Sequence, residues 1–262
     1  LFALFSLGAC GGGGGGAAPP PDVPPAPPPP PPVTPVDGPA WFGFARNAQH
    51  SAQGEIATQS LATIWWSTPM DLAPPYSNNG ALLAHYGSPL ITRQNTVIVP
   101  VKTSSAGDFR VEARIGANGN LLWTQDSSYL LPPHNWVPSF NPVLTADRRV
   151  LLPASGGRVL ERASADAASG ALRTLVFYGD AAYAADPASH DGTVFINTPL
   201  ASDRAGNVFF GFTVTGSNPA GLVGGIARLG ADGSARWVAA ADVAGDAAMV
   251  KTATNCAPAL SN

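Results

Sequence analysis

The side chains that could bind a metal or transfer a proton are scattered along this chain. It has two cysteines, at positions 10 and 256, and four histidines that share no spacing: His50, His85, His134 and His190. Compact metal sites bring Cys and His ligands together at short, regular intervals, so this pattern predicts no such site. His134 lies in a proline-rich loop, where a single histidine is more often hydrogen-bonded or solvated than catalytic. Cys256 precedes a predicted strand and is expected to be a small buried hydrophobe.

The acidic and glycine-rich stretches are expected to form turns. Four aspartates fall in predicted hairpin turns, where their short side chains bond the local backbone: Asp147, Asp166, Asp203 and Asp232. Residues 186–192 form a turn-prone Asp/Gly cluster that matches a calcium loop poorly. Residues 216–225 are rich in glycine but run between strands, whereas a phosphate-binding loop opens a helix. No catalytic and no metal-binding residue is predicted, and cofactor-binding residues stay undetermined.

One cysteine has a context that predicts covalent chemistry. Residues 1–10 are apolar and end in Leu7-Gly-Ala-Cys10, which resembles a bacterial lipobox at the end of a truncated lipoprotein signal peptide. A lipobox cysteine accepts diacylglycerol through its thiol, so Cys10 is the predicted site of lipid attachment. The alternative is a plain signal peptide with an incidental cysteine. The polar glycine tract that follows Cys10 at once favours lipid attachment, and Gly11 rather than Asp after the cysteine favours the outer membrane.

Residues 11–40 are predicted to be a disordered linker. Six glycines occupy positions 11–16, and 13 of the 27 prolines lie between Pro19 and Pro39. Neither tract can build a core, and the proline-rich part would extend as polyproline II, roughly 65 Å over its 21 residues. A proline-rich tract can also bind SH3-type domains, but a spacer between a membrane and a folded domain is the simpler interpretation.

The composition limits the possible partners. Charged residues make up 12% of the chain and hydrophobic residues 45%, with a formal net charge of −3. No basic stripe is present, so a nucleic-acid surface is not predicted. No apolar run is long enough for a membrane helix.

From residue 41 onward the pattern is that of short strands and turns. Apolar runs of four to seven residues are bounded by Gly, Asn, Asp, Ser and Pro, for example residues 96–101, 149–152, 207–212 and 225–229. Only residues 242–250 have a helical period. Four apolar runs begin at a proline, and these prolines are 53, 57 and 59 residues apart: Pro89, Pro142, Pro199 and Pro258. Each unit is predicted to be a four-stranded antiparallel sheet.

A second repeat lies inside the first and third of these units. Ala113, Gly119 and Trp123 recur at the same spacing as Ala227, Gly233 and Trp237. A glycine in the turn allows a tight hairpin, and a tryptophan four residues later could pack on a neighbouring sheet. A small alanine would leave room for that ring. An ordinary β-sandwich with scattered core tryptophans is the alternative.

These units resemble the pyrroloquinoline-quinone-like (PQQ-like) repeat of quinoprotein-type β-propellers. The Ala, Gly and Trp spacing matches the blade-docking motif of that family, and the opening at Trp41 resembles the start of its members. The middle unit departs from the motif, since Thr174 stands where Trp belongs, and the acidic third position of the motif is Ile115 or Leu229 here. The resemblance implies an all-β fold over residues 41–262. That fold would be a partial β-propeller of about three blades plus the start of a fourth, with Ala113, Gly119, Trp123, Ala227, Gly233 and Trp237 docking blades.

The resemblance leaves two functions open. The family includes non-enzymatic envelope lipoproteins, which implies a membrane-tethered extracytoplasmic scaffold that binds a protein or ligand and needs no cofactor. It also includes dehydrogenases, which would use PQQ and Ca²⁺. The adjacent cysteine pair of many such enzymes is missing, which favours the scaffold. The expected location is the bacterial cell envelope, with a lipid anchor in the outer membrane facing the periplasm or the surface.

Two further expectations concern packing and completeness. Trp123 and Trp237 should be largely buried between blades, and Trp136 more exposed. Residues 61–67 should form a lone outer strand, and residues 258–262 should open a fourth unit. The sequence therefore predicts that the propeller is incomplete at its C-terminal end.

Overall fold

Three antiparallel sheets follow one another along the chain in a computed structural model of the protein. The structure describes residues 38–56, 62–73, 76–78, 81–83, 87–104, 108–133 and 140–261. The predicted signal peptide and most of the linker lie outside these residues. A short antiparallel pair, β1 (Tyr76–Asn78) and β2 (Ala81–Leu83), precedes the three sheets.

Sheets I and II are four-stranded meanders, in which each strand pairs with the next. Sheet I contains β3 (Leu90–Ile91), β4 (Thr96–Lys102), β5 (Phe109–Ile115) and β6 (Leu121–Ser127). Sheet II contains β7 (Val143–Leu144), β8 (Val150–Pro153), β9 (Val159–Arg162) and β10 (Leu172–Leu175). The expected strands 96–101 and 149–152 fall on β4 and β8.

Sheet III has the same plan with one interruption. It contains β11 (Val194–Ile196), β12 (Ala201–Ser202), β13 (Val208–Val214), β14 (Gly225–Leu229) and β15 (Ala235–Ala239). Strands β11 and β12 both pair with β13, one at each end of it, along the edge of β13 that does not pair with β14. They occupy one strand position, broken near Pro199. Since proline cannot donate to a strand ladder, it falls at the break. The Oγ1 atom of Thr198 accepts the Gly211 amide there at 2.8 Å.

The first turn of each sheet has the same local design. A Thr or Asp side chain accepts the amide hydrogen four residues later: Thr92 from Thr96, Thr145 from Arg149 and Asp203 from Asn207. The third residue after it is left-handed, with φ of 63° at Asn95, 68° at Arg148 and 81° at Gly206. Asn and Gly tolerate that conformation best. This structural repeat explains why the proline landmarks recur at nearly constant spacing.

Helices occur where the sequence pattern did not predict them. After β10 come α1 (Asp180–Ala185) and α2 (Pro187–Thr193), and α3 (Ala240–Ala244) follows β15. The Asp/Gly cluster at 186–192 is therefore helical, because the Asp186 carboxylate caps the helix by accepting the Ser189 amide at 3.0 Å and Pro187 occupies the first turn. The helical period expected at 242–250 gives only the end of α3.

The lone outer strand expected at 61–67 is wrong for the residues described there, since 62–69 carry no strand pairing. The chain instead bonds sheet I at two places, through Trp66 and through Asp71. The Trp66 indole nitrogen donates to the Gly116 carbonyl at 2.8 Å, and Asp71 forms an isolated bridge with Lys102. The Lys102 side chain is fully buried and lies 2.9 Å from the Asp71 carboxylate.

One apolar core runs through all three sheets. The alternation of side chains along the strands turns aliphatic and aromatic residues into this core. Fully buried examples are Leu90, Val111, Leu152, Phe210 and Phe212. Aromatic rings fill the space between sheets: Phe109 stacks on Phe140 at 4.7 Å, and Phe177 lies 4.5 Å from Phe212. Burial of such rings is the largest favourable contribution to folding.

Glu112 gives sheet I a pH-dependent contribution to stability. Its carboxylate, with only 5% of the side chain exposed, accepts hydrogen bonds from Arg114 and Arg110 on the same strand. Burial alone would raise the pKa of Glu112, but the two guanidinium groups outweigh burial and hold it below its ordinary value of 4.5. A lowered pKa stabilises the fold above the unfolded-state value, and this stabilisation is lost as the pH falls through the folded-state pKa.

We expect Glu112→Gln to lower the free energy of unfolding at pH 7 by about 1.5 kcal/mol, the low end for a hydrogen bond to a charged group, because Arg110 and Arg114 are partly exposed. The difference from wild type should shrink as the pH falls below the ordinary value of 4.5 and through the lowered pKa of folded Glu112. Urea denaturation at pH 7, 5 and 3 measures both. Asp126→Asn, at an exposed carboxylate on β6, is the control and should cost nothing at pH 7. A deficit for Glu112→Gln that stays constant down to pH 3 would contradict the assignment.

Candidate functional site

Trp123 joins sheet I to sheet II. In β5 and β6 the residues Ala113 and Trp123 stand opposite each other, as Ala227 and Trp237 do in β14 and β15. Trp123 is 6% exposed, and its indole nitrogen donates to the Ala165 carbonyl at 2.8 Å. The Arg162 guanidinium of sheet II lies 4.3 Å above the ring. Alanine at position 113 is fully buried.

Trp237 does not have the burial expected from the sequence. It is 37% exposed and packs edge-on against Phe212, with 5.9 Å between ring centroids. The reason is that no further sheet covers this side of sheet III within the described residues. Val238, next to it, is 41% exposed. Trp136, which was expected to be exposed, lies outside the described residues.

Gly119 and Gly233 take the turn positions with φ of 73° and 84°. Gly119 has a second reason to be glycine, because a Cβ there would lie 2.8 Å from the Trp66 ring. Trp66 thus contacts the β5–β6 turn as Trp123 contacts the β9–β10 loop, and sequence reasoning missed it. The sequence signal for this contact is the pair Trp65-Trp66, which lies in a segment that the pattern predicts to be a strand. Trp65 itself is 77% exposed.

Sheets II and III meet without a docking tryptophan. Thr174 stands opposite Leu160 in β9. Two polar contacts add to the apolar packing between these sheets: an Arg149 nitrogen donates to the Gly206 carbonyl at 3.2 Å, and the Ser202 hydroxyl donates to the Leu144 carbonyl at 2.8 Å. Arg149 also pairs with buried Glu161 and with Asp147.

The aspartates predicted in turns lie in turns. Asp203 and Asp232 accept backbone amides of their own hairpins, and the Asp147 carboxylate accepts the Thr145 hydroxyl. Asp166 also accepts the Thr92 hydroxyl and so connects sheet II to sheet I.

The described histidines are not brought together. His50 packs edge-on against Phe44. His190 is fully buried, stacks on Tyr178, and has its Nδ1 atom 2.7 Å from the Asp186 carbonyl. His85 and His134 lie outside the described residues. Among the residues that the structure covers, no three His, Cys, Asp or Glu side chains are grouped closely enough to hold a metal ion.

Cys256 is exposed and free, which corrects the expectation that it is buried. It lies in a turn, where its amide donates to the Ala253 carbonyl. None of the described helices has the length and apolar character needed to span a membrane.

Residues 38–56, called here the bridging segment, bond the first strands of sheets I and II and the backbone at Leu260. Trp41 exchanges two backbone hydrogen bonds with Ile91 of β3, at 2.8 and 3.0 Å. The Phe42 carbonyl accepts the Leu144 amide of β7, and the Ala48 carbonyl accepts the Leu260 amide. Half of the eight described non-glycine residues with positive φ lie in this segment: Ala45, Arg46, His50 and Ala52. Such conformations cost of order 1–3 kcal/mol each and concentrate at ligand sites.

A cavity of about 340 Å³ lies between the bridging segment and the first turns of the sheets. We call it the arginine cavity, because three arginines from three separate parts of the chain line it, with Glu55 and Asp203 also present. The full lining is Phe42, Arg46, Asn47, Ala48, Gln49, Glu55, Arg93, Ala146, Ser202, Asp203 and Arg204. Arg46 pairs with Glu55, and only 16% of the Arg46 side chain is exposed.

Neither protein-family models nor curated proteins give a match to this chain. The likeness to the PQQ-like repeat therefore rests on the Ala, Gly and Trp spacing and on the opening at Trp41.

Proposed function

We propose that this chain is a membrane-tethered scaffold of the bacterial cell envelope, built as part of a β-propeller, and that it binds a protein or ligand without catalysing a reaction. Cys10 carries the lipid anchor, and residues 11–40 space the folded part from the membrane. The anchor lies in the outer membrane.

The observation that carries the proposal is the serial stacking of like sheets. Sheet I contacts sheet II through Trp123, and sheet II contacts sheet III through Arg149 and Ser202. Repeated four-stranded meanders in serial contact, with their first strands near a common segment, are the arrangement that a propeller requires. A sandwich would pack two sheets on each other, whereas here three like sheets follow one another along the chain.

The rival function is a quinoprotein-type dehydrogenase with PQQ and Ca²⁺. A calcium site takes six to eight oxygen ligands, typically several carboxylates and carbonyls that converge on one point. The aspartates of the described hairpins instead bond their own turns, a neighbouring arginine or, at Asp166, the Thr92 hydroxyl. This favours the binding function.

A cofactor titration separates the two functions. The purified chain is mixed with PQQ, with and without Ca²⁺, and tryptophan fluorescence and reduction of a dye by added alcohols or sugars are followed. The scaffold predicts neither saturable binding nor dye reduction. Calcium-dependent binding of one PQQ per chain, with dye reduction, would establish the dehydrogenase in its place.

A further inference from the structure

We propose that the arginine cavity binds a compact anion carrying carboxylate or phosphate groups. This inference names a ligand class for the proposed binding function and rests on it. Three residues that are far apart in the sequence line this one cavity: Arg46, Arg93 and Arg204. The chain as a whole has a formal charge of −3, so a positive cavity is unusual on this protein.

The charges in the cavity leave two arginines open to a ligand. Arg46 already has Glu55 as its partner. Both oxygens of Asp203 are taken by Asn207, through its amide at 2.9 Å and its side chain at 2.6 Å. Within the described chain, no side-chain hydrogen bond or ion pair engages Arg93 or Arg204. Three guanidinium groups against two carboxylates leave one net positive charge, which favours anions.

The backbone around the two arginines is fixed before any ligand binds. Arg93 lies in the first turn of sheet I, and its carbonyl accepts the Gly38 amide at 2.7 Å. Arg204 lies in the first turn of sheet III, closed by hydrogen bonds between Asp203 and Asn207. A guanidinium fork on a rigid turn loses little freedom when it binds carboxylate or phosphate in a bidentate manner. The fixed turns therefore limit the freedom lost on binding to that of the two exposed arginine side chains.

The size of the cavity restricts the ligand. A volume of about 340 Å³ lies at the low end of the range for small-molecule sites. It suits a small dicarboxylate or tricarboxylate, or a phosphate or pyrophosphate, rather than a folded partner or a long peptide.

The test is isothermal titration calorimetry on the 262-residue chain. The probes are phosphate and pyrophosphate in one series, and succinate and citrate in the other. We expect one series to bind one equivalent, and the tighter series identifies the acid group. Arg93→Gln and Arg204→Gln should each weaken that binding by about tenfold, since each removes a charge-assisted pair. Binding should also weaken as salt is added.

Arg236→Gln is the matched control, because Arg236 is exposed on β15 and does not line the cavity. It should bind within about twofold of wild type, and thermal melts should show all three variants folded. The proposal is overturned if neither series binds at about 10 mM, or if Arg236→Gln weakens binding as much as the cavity variants. Failure would leave the membrane tether untouched, because Cys10 plays no part in this measurement.

Discussion

Replacing Trp123 with alanine should lower the free energy of unfolding by about 3–5 kcal/mol, the range for removing a large buried aromatic side chain. The ring is 6% exposed, its N–H donates to the Ala165 carbonyl, and Arg162 covers its face. Its loss would leave a cavity between sheets I and II and an unpaired carbonyl. Equilibrium denaturation in urea measures the change.

Two further variants separate the causes. Trp123→Phe keeps most of the packing but loses the N–H donor, and should cost less than Trp123→Ala. Trp65→Ala removes a side chain that is 77% exposed and should change stability by less than about 0.5 kcal/mol. If Trp123→Ala costs under 1 kcal/mol, the ring is not docked between the sheets in solution.

Tyr129→Ala should also cost about 3–5 kcal/mol, because this ring joins sheet I to sheet III. Tyr129 follows β6, is 3% exposed, and packs 5.6 Å from both Phe109 and Phe140. Its hydroxyl donates to the Ile196 carbonyl at 2.7 Å. Burial raises the pKa of this hydroxyl above its ordinary value of 10, so it remains a donor at neutral pH.

Tyr129→Phe isolates the hydrogen bond from the packing. It should cost about 1 kcal/mol, the net value of one buried hydrogen bond. Both variants are compared with wild type by urea denaturation at pH 7. A loss for Tyr129→Ala no larger than that for Tyr129→Phe would mean that the ring itself contributes no packing between the sheets.

Local sequence signals predicted several of the strands. The run at 225–229 coincides with β14, and the runs at 96–101 and 207–212 fall on β4 and β13. These segments were readable because strand alternation and turn residues act over a few positions. The β-rich architecture of three antiparallel four-stranded sheets follows from the same signals.

Features that depend on contacts between residues far apart in the chain could not be predicted from the sequence. The sequence predicts a strand at Trp66, but the turn at Gly116, 50 residues later, fixes the position of this ring. The burial of Trp237 was overestimated because burial depends on what covers the ring, which the spacing of Ala, Gly and Trp does not encode. The α2 helix was missed although Asp186-Pro187 is a helix-start signal, because the segment is short and rich in turn-forming residues.

The arginine cavity shows the same limit for function. Arg93 and Arg204 are 111 residues apart in a sequence without a basic stripe. Only the stacking of the sheets and the path of the bridging segment bring them to one cavity. The repeated Thr or Asp in the first turns was a usable signal for where such a site would lie, because those turns carry both arginines.

The membrane tether is the central claim of the proposed function, and Cys10→Ser tests it most directly. The protein is expressed in a bacterial host behind a complete lipoprotein signal peptide that ends at Cys10, fed a tagged fatty acid, and separated into membrane and soluble fractions. Wild type should be labelled and in the membrane fraction. Cys10→Ser removes the thiol that would accept the lipid, so this variant should be unlabelled and soluble. Labelled wild type should carry more than one acyl chain, because one chain anchors a protein only marginally. Cys256→Ser, at an exposed thiol, should behave as wild type. A wild-type protein that is soluble, with an unmodified Cys10 thiol, would contradict the account.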